Sequence, residues 1–384
     1  MKKLIALILL LNLAATSLVM AQSSGTPQNE ADLPGQRGPL NVRRAAYPRL
    51  LPDNSMEFKV NAPQAHKVQI DLGRKYDLVK DENGDWHGIT DPLTPGFHYY
   101  FLIIDGVQVA DPASESFYGC SMNTSGVEIP YPDTDKRFSN ALVGHGDIRM
   151  KRYFSDNSGK WQRMFVYCPA GYDKGDQDYP VLYLLHGGGE DERGWATQGL
   201  TDIIMDNLIA SKTTTPMIVV IPDGNIPHFD RELIGEIIPF VEENFRVKEG
   251  RDNRALAGLS MGGIQTLNIG LANLDLFSHL GVFSSGWFAK PVPFADPTDT
   301  GWYYATLRDN RQKYNDQLKV FWLSMGGKED IAYENCSVMR KKFDEIGINY
   351  DYFETPGGHT WPVWRESLYH FAPLLFKENS DSIK

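Results

Sequence analysis

The 384-residue sequence is short of cysteine, short of positive charge and, after its first 21 residues, short of long apolar runs. Only Cys120, Cys168 and Cys336 are present. At most one disulfide can form, so the fold must rest on its core. No CxxC or Cys/His cluster points to a metal site, and the three thiols read as small buried hydrophobes. Lys+Arg number 38 against 49 Asp+Glu, a net charge of −11. Such a chain has no general electrostatic grip on nucleic acid or on an anionic membrane surface. No period runs through its 35 Gly and 23 Pro, which excludes a fibrous repeat. Hydrophobic residues at 42% and charged residues at 23% are those of an ordinary globular protein, not a disordered one.

The exception to the missing apolar runs is the start, MKKLIALILLLNLAATSLVMAQ. Lys2 and Lys3 precede an apolar core, and small residues surround Ala21. This is the plan of a secretory signal peptide over 1–21, cleaved after Ala21, and the core is too short to span a bilayer comfortably. No cysteine lies there to carry a lipid. Cleavage removes two lysines and takes the charge from −11 to −13. The expected location is periplasmic or secreted. Residues 22–43, rich in Gly, Pro, Gln and Ser, read as a flexible leader.

Two different patterns follow. Over 44–132, segments such as 56–60 (MEFKV) and 68–72 (VQIDL) alternate apolar and polar residues. Turn signals at Asn83-Gly84, Pro95-Gly96 and Asp105-Gly106 separate them, so the spacing predicts a small Ig-like all-β sandwich. Over 138–380, apolar runs at 163–168, 181–185, 217–221, 255–259, 280–284 and 320–324 alternate with helical patterns. That predicts an α/β domain with a mostly parallel sheet covered on both faces. Between two of these runs Ile234, Ile238, Val241 and Phe245 fall on one helical face, and Pro239 should kink that helix.

The chemistry concentrates at Gly258-Leu259-Ser260-Met261-Gly262. This GxSxG lies directly after an apolar run and directly before a helical one. A sharp strand-to-helix turn projects a serine hydroxyl out of the sheet, and small residues at its flanks avoid clashes. A nucleophilic serine needs a base, and the base needs an orienting acid. Only His279, His359 and His370 follow Ser260. His359 sits in the Gly-rich loop PGGHTW after a β-prone run and is the candidate base; the other two read as packing or solvated residues. The acid expected at the end of run 320–324 is Asp330, with Glu329 as the adjacent alternative. Run 181–185 ends in His186-Gly187-Gly188-Gly189, glycines that let backbone N–H groups approach a ligand. Gly187 or Gly188, together with Met261, would form an oxyanion hole. His186 reads as a loop anchor. No GK[ST] follows the glycines, which removes a phosphate-loop reading.

These residues, carried in YLLHGGGEDERGW, VVIPDG, ALAGLSMGG, LSMGGKED and PGGHTWPVWR, resemble carbohydrate esterase family 1. That group holds feruloyl and acetylxylan esterases. The resemblance implies an α/β-hydrolase fold with Ser260 as nucleophile, His359 as base and Asp330 as acid, and no metal or organic cofactor. The N-terminal segment resembles a family-48 carbohydrate-binding module, a kind that in such enzymes either packs on the esterase or binds glucan. The expected activity is hydrolysis of feruloyl esters of plant cell-wall arabinoxylan. Acetylxylan esterase, siderophore esterase and acyltransferase are alternatives, and a catalytically silent carbohydrate-binding protein is the reading from a different class. The expected partners are polysaccharide or oligosaccharide esters, not nucleic acid or membrane. Aromatics crowd the loops: Trp195, Trp287, Phe288, Trp302, Tyr303, Trp361 and Trp364. Flat rings can sandwich a hydroxycinnamoyl group, and Trp195, Trp287 and Trp361 are the candidate substrate-binding residues, against the alternative that they anchor the core.

Overall fold

The computed structural model describes residues 33–288 and 300–377. The expected signal peptide and most of the leader lie outside them. Among the described residues no helix is long and apolar enough to cross a membrane.

The first part of the chain is all β. One sheet carries Met56–Asn61 between Arg49–Leu50 and Asp85–Ile89. The other runs Ser116–Gly119, Met122–Ile129, Gly96–Ile104, Val68–Asp71, Lys75–Asp77. Period-2 alternation sends Met56, Phe58 and Val60 of the first sheet against Ile70, Tyr100 and Val127 of the second. The Asp105-Gly106 turn joins two paired strands with both residues at positive φ, 49° and 86°, the conformation a two-residue hairpin needs.

The second part is built on an eight-stranded sheet. Its strands are β1 (Asp147–Ser155), β2 (Lys160–Cys168), β3 (Val181–Leu185), β4 (Ile218–Pro222), β5 (Arg254–Leu259), β6 (His279–Phe283), β7 (Val320–Met325) and β8 (Asp351–Glu354). Their order across the sheet is β1-β2-β4-β3-β5-β6-β7-β8. The pairs β1–β2 and β2–β4 are antiparallel and the rest parallel. The mostly parallel sheet is the one expected from the alternation of runs, and its strand order is that of the α/β-hydrolase fold implied by the resemblance. Alternate residues of one strand face opposite ways. Val181, Tyr183 and Leu185 enter a core with Leu256, Leu267 and Phe343. Leu182 and Leu184 enter another with Ala257, Trp195 and Leu368. Two such cores require both faces of the sheet to be covered.

Two elements differ from expectation. Strand β1 has no apolar run; it is an edge strand of which only Tyr153 and Ser155, on one face at its end, are buried, so no continuous apolar stretch is selected. The helix with Pro239 does not simply kink. Leu233–Ile237 forms a π-type turn before Ile238–Asn244, so that Pro239, which has no N–H to donate, falls in the first turn of the segment that follows. All three cysteines are free; Cys168 and Cys336 are buried, but Cys120 is exposed, at positive φ in a turn, so the buried reading fails there.

The sandwich packs on the α/β part. Arg365, fully buried, makes a bidentate pair with Glu128 at 2.7 and 3.0 Å and donates to the Gln198 carbonyl at 2.8 Å. Tyr99 receives hydrogen bonds from Gln198 Nε2 at 2.6 Å and Trp361 Nε1 at 3.2 Å. A buried guanidinium so fully satisfied fixes orientation more than it adds stability.

Candidate active site

Ser260, Asp330, His359, Gly187, Gly188 and Met261 follow the carboxyl ends of parallel strands, where an open α/β sheet offers its crevice. Ser260 follows β5 at φ 51° and ψ −113°, a conformation that costs of order 1–3 kcal/mol and persists only where its surroundings enforce it. They do so through hydrogen bonds. The Ser260 N–H donates to Phe283 at 2.9 Å, and its carbonyl accepts from Ser285 Oγ at 2.6 Å and from the N–H groups of Gly263 and Ile264. The flanking glycines are needed because the backbones touch. A Cβ on Gly258 would lie 2.5 Å from the Gly262 carbonyl carbon, and one on Gly262 would lie 2.6 Å from the His186 carbonyl oxygen.

The helix Met261–Ala272 starts at this turn. Of its first N–H groups, that of Gly262 donates to the His186 carbonyl at 3.2 Å, tying the turn to the glycine loop after β3. Among the described residues, the N–H groups of Met261, Gly187 and Gly188 have no acceptor. Met261 and Gly188 line the same cavity as Ser260, whereas Gly187 is buried behind them, where a side chain would strike Leu259. His186 anchors the loop. Its Nε2 lies 2.8 Å from the Gly224 N–H and 3.3 Å from Asp223 Oδ1, while Nδ1 lies 2.9 Å from the Gly187 carbonyl oxygen.

His359 Nδ1 lies 2.9 Å from Asp330 Oδ1, and the Asp330 side chain is fully buried. Burial pushes that carboxyl up. The hydrogen bond and charge of His359, with the Ala332 N–H at 2.9 Å, outweigh it and hold the carboxyl below its ordinary range. Asp330 Oδ2 and the Ser284 hydroxyl are both buried without a partner at normal distance, and Ser284 also helps lower the carboxyl. Glu329 does not face His359; its carboxylate accepts the Gly357 N–H at 3.1 Å. His279 is buried against Ser278, its pKa pushed down to about 4 chiefly by burial, and His370 stacks on Phe353. Ser260 and His359 border one cavity of about 330 Å³. No hydrogen bond joins the Ser260 hydroxyl to His359, a looseness common in unliganded sites. An imidazole oriented by a buried carboxylate, beside a hydroxyl on a strained turn and two free N–H groups, is a set that can drive acyl transfer.

The cavity wall differs from the aromatic sandwich expected. Met261, Ile264, Phe288 and Ile331 line it. Trp195 does not: it is fully buried, its indole N–H donates to the Leu185 carbonyl at 3.0 Å and its ring packs on Phe283 and Trp361. Trp287 does not either. It is buried, stacked on Tyr303 and bonded to Asn268 at 2.9 Å. Trp302 lies in a separate surface pocket beside Lys313. Trp361 and Trp364 border a second cleft of about 530 Å³ that continues past His359 and Gly188 toward Asp71, Tyr99 and Gln108 of the sandwich. Sequence proximity to a loop does not tell which way a ring faces. Ile264, one helical turn after Ser260, and Ile331, beside Asp330, carried the signal that was missed. For a metal, the described residues offer one surface group, Asp81, Asp85 and His87. It lies in the sandwich, with Asp85 paired to Lys59 and His87 to Asp81.

The family model described as "Putative esterase" matches residues 155–374. The chain is 36% identical over 362 residues to the endo-1,4-beta-xylanase/feruloyl esterase of Xylanibacter ruminicola, a match covering 88% of this chain and 47% of that protein. It is 26% identical over 312 residues to endo-1,4-beta-xylanase Y of Acetivibrio thermocellus, covering 72% of this chain and 27% of that one. The chain therefore spans about half or less of the length of these relatives. Among solved structures, a mutant of the feruloyl esterase module from Clostridium thermocellum complexed with sinapinate matches at TM-score 0.54 and 25% identity, over 65% of this chain and 94% of that one. The ferric enterobactin esterase of Salmonella typhimurium matches at TM-score 0.61 and 15% identity, over 85% of this chain and 95% of that one, a likeness of fold.

Proposed function

We propose that this chain, which belongs to the esterase family, is an exported serine esterase that removes feruloyl groups from plant cell-wall arabinoxylan. The observation that carries the acyl assignment is the cavity of about 330 Å³ opening on Ser260 and His359, with apolar walls from Met261, Ile264, Phe288 and Ile331. It is far larger than an acetyl group can fill, and apolar walls favour a flat aromatic acid. The likeness to a feruloyl esterase module complexed with sinapinate, another hydroxycinnamate, supports the same reading. Export rests on the plan of residues 1–21.

In this reading His359 Nε2 takes the Ser260 proton as Oγ attacks the ester carbonyl. The Gly188 and Met261 N–H groups hold the resulting oxyanion; losing one such donor typically costs 10²–10³ in turnover, about 2.7–4 kcal/mol. Asp330 fixes the Nδ1–H tautomer and stabilises the imidazolium. His359 then gives its proton to the departing sugar alkoxide, leaving a feruloyl ester on Ser260. Water, deprotonated by His359, attacks that ester, and ferulate leaves as Ser260 regains the proton.

The test compares methyl ferulate with phenyl acetate and with a catecholate siderophore ester. Ferulate turnover exceeding both is expected. Robust acetate turnover without ferulate release moves the assignment to acetylxylan, siderophore cleavage moves it there, and xylan binding without any turnover favours the silent binding protein.

A further inference from the structure

We infer that the glycan backbone bearing the ester lies in a polar groove leading from the active site to an aromatic platform at Trp161. The inference rests on the reading of the site as an esterase for a polysaccharide ester. The groove, about 580 Å³, is floored by Gly189 and Glu190 of the glycine loop. Glu190 also lines the cleft beside His359, and Gly188 and His359 line both that cleft and the Ser260 cavity, so the three spaces adjoin. One wall is Tyr118 and Ser121 of the sandwich; another is the β1–β2 hairpin.

Trp161 and Phe154 stand opposite each other on that hairpin, edge to face with centroids 5.8 Å apart. They are 68% and 50% exposed. Alternation explains why they face out. Tyr153 and Ser155 point inward, where both donate to Glu232 at 2.7 Å. The core therefore gives no reason for a large aromatic at 161. An exposed indole with no hydrogen-bond partner among the described residues presents a flat apolar face and a free N–H, the surface on which a pyranose ring stacks.

The polar lining selects the occupant. Asp191 is paired with Arg193, Glu192 with Arg163, and Asp223 lies 3.3 Å from His186 Nε2 and accepts from Asn225. Most of the lining carboxylates thus have partners, leaving amide and hydroxyl groups such as Gln162 and Ser121, with Arg152 making no ion pair among the described residues. A neutral chain of hydroxyl groups suits this lining better than a polyanion or polycation. The structure thus assigns the sandwich and the edge hairpin a shared task, holding a neutral xylan-type chain while its side-chain ester enters the cavity.

The test uses the full chain carrying Ser260→Ala, so that substrate is bound and not cleaved. Affinity electrophoresis in gels of soluble arabinoxylan is run with and without Trp161→Ala, and with Trp161→Phe to keep an aromatic ring. Retardation that weakens about tenfold with alanine and less with phenylalanine is expected. With Ser260 present, the ratio of kcat/KM on feruloylated arabinoxylan to that on methyl ferulate should fall about tenfold in Trp161→Ala. No retardation of the parent, or equal retardation of all three, overturns the groove. If the unaltered chain releases no ferulate, the reaction assignment fails, while retardation sensitive to Trp161 still upholds the groove.

Discussion

Replacing Asp330 by asparagine separates the two carboxylates that the sequence left open. The Asp330 side chain is fully buried, and its Oδ1 accepts two charge-assisted bonds, from His359 Nδ1 and from the Ala332 N–H, each at 2.9 Å. Asparagine is isosteric, and an amide oxygen in the place of Oδ1 keeps both bonds without the charge. If the amide NH₂ takes that place instead, it faces His359 and favours the tautomer with the proton on Nε2, which cannot accept the Ser260 proton. A hydrogen bond to a charged group contributes about 1.5–3 kcal/mol, and the imidazolium formed during attack also loses its counter-charge. Together these predict a kcat loss of roughly 10³–10⁴-fold, about 4–5.5 kcal/mol in the barrier. The fold should survive. Because the Asp330 pKa is held below its ordinary value, its charged form stabilises the native state above pH 4 and that contribution fades as pH falls through the lowered pKa. Asp330→Asn should therefore melt slightly below the parent at neutral pH and converge with it in acid. Glu329→Gln is the control. Its carboxylate accepts only the Gly357 N–H at 3.1 Å, a bond an amide oxygen can replace, so turnover should stay within about threefold. Ferulate release and thermal melts read both variants. Asp330→Asn within tenfold of the parent, or Glu329→Gln losing a hundredfold, refutes the reasoning.

Three further outcomes follow from local geometry. Gly258→Ala places a methyl 2.5 Å from the backbone of Gly262, which cannot swing away; melting should report a loss of about 1–3 kcal/mol, and turnover a fall of about 10²-fold as Ser260 shifts. Ile264→Trp fills the acyl cavity, so kcat/KM for methyl ferulate should fall at least about tenfold more than for phenyl acetate; equal losses would mean the cavity does not take the acyl group. Burial raises the Glu190 carboxyl from 4.5 to about 8, so the native state retains a proton that the unfolded chain releases, and stability declines as pH rises between those values. Glu190→Gln removes that decline, and its melting advantage over the parent should grow from pH 5 to pH 8 by up to about 1.4 kcal/mol per pH unit; parallel pH curves for the two proteins would show that Glu190 is charged when buried.

Much of this architecture was legible because it follows from period and turn chemistry. Apolar runs such as 181–185 and 255–259 are strands buried on both faces, and GxSxG between a strand and a helix fixes where the serine must stand. The order of Ser260, Asp330 and His359 along the chain was readable from the α/β-hydrolase plan that the motifs resemble, and the structure brings the three to one end of the sheet. What was not legible depends on packing. Strand β1 reads DIRMKRYFS, with no apolar stretch, because only alternate residues such as Tyr153 and Ser155 face the core. Trp195 and Trp287 lie near the loops in sequence yet turn inward to bond Leu185 and Asn268. The interface between the two parts hangs on Arg365 and Glu128, 237 residues apart, a pairing that no local pattern encodes.

The central claim is that Ser260 is acylated by a hydroxycinnamate. The most direct measurement is to mix the protein with methyl ferulate, quench in acid during turnover, and locate the feruloyl adduct by peptide mass spectrometry. The adduct is expected on the peptide containing Ser260, with none in Ser260→Ala. Turnover with no adduct on Ser260, or an adduct on another residue that persists in Ser260→Ala, would contradict it.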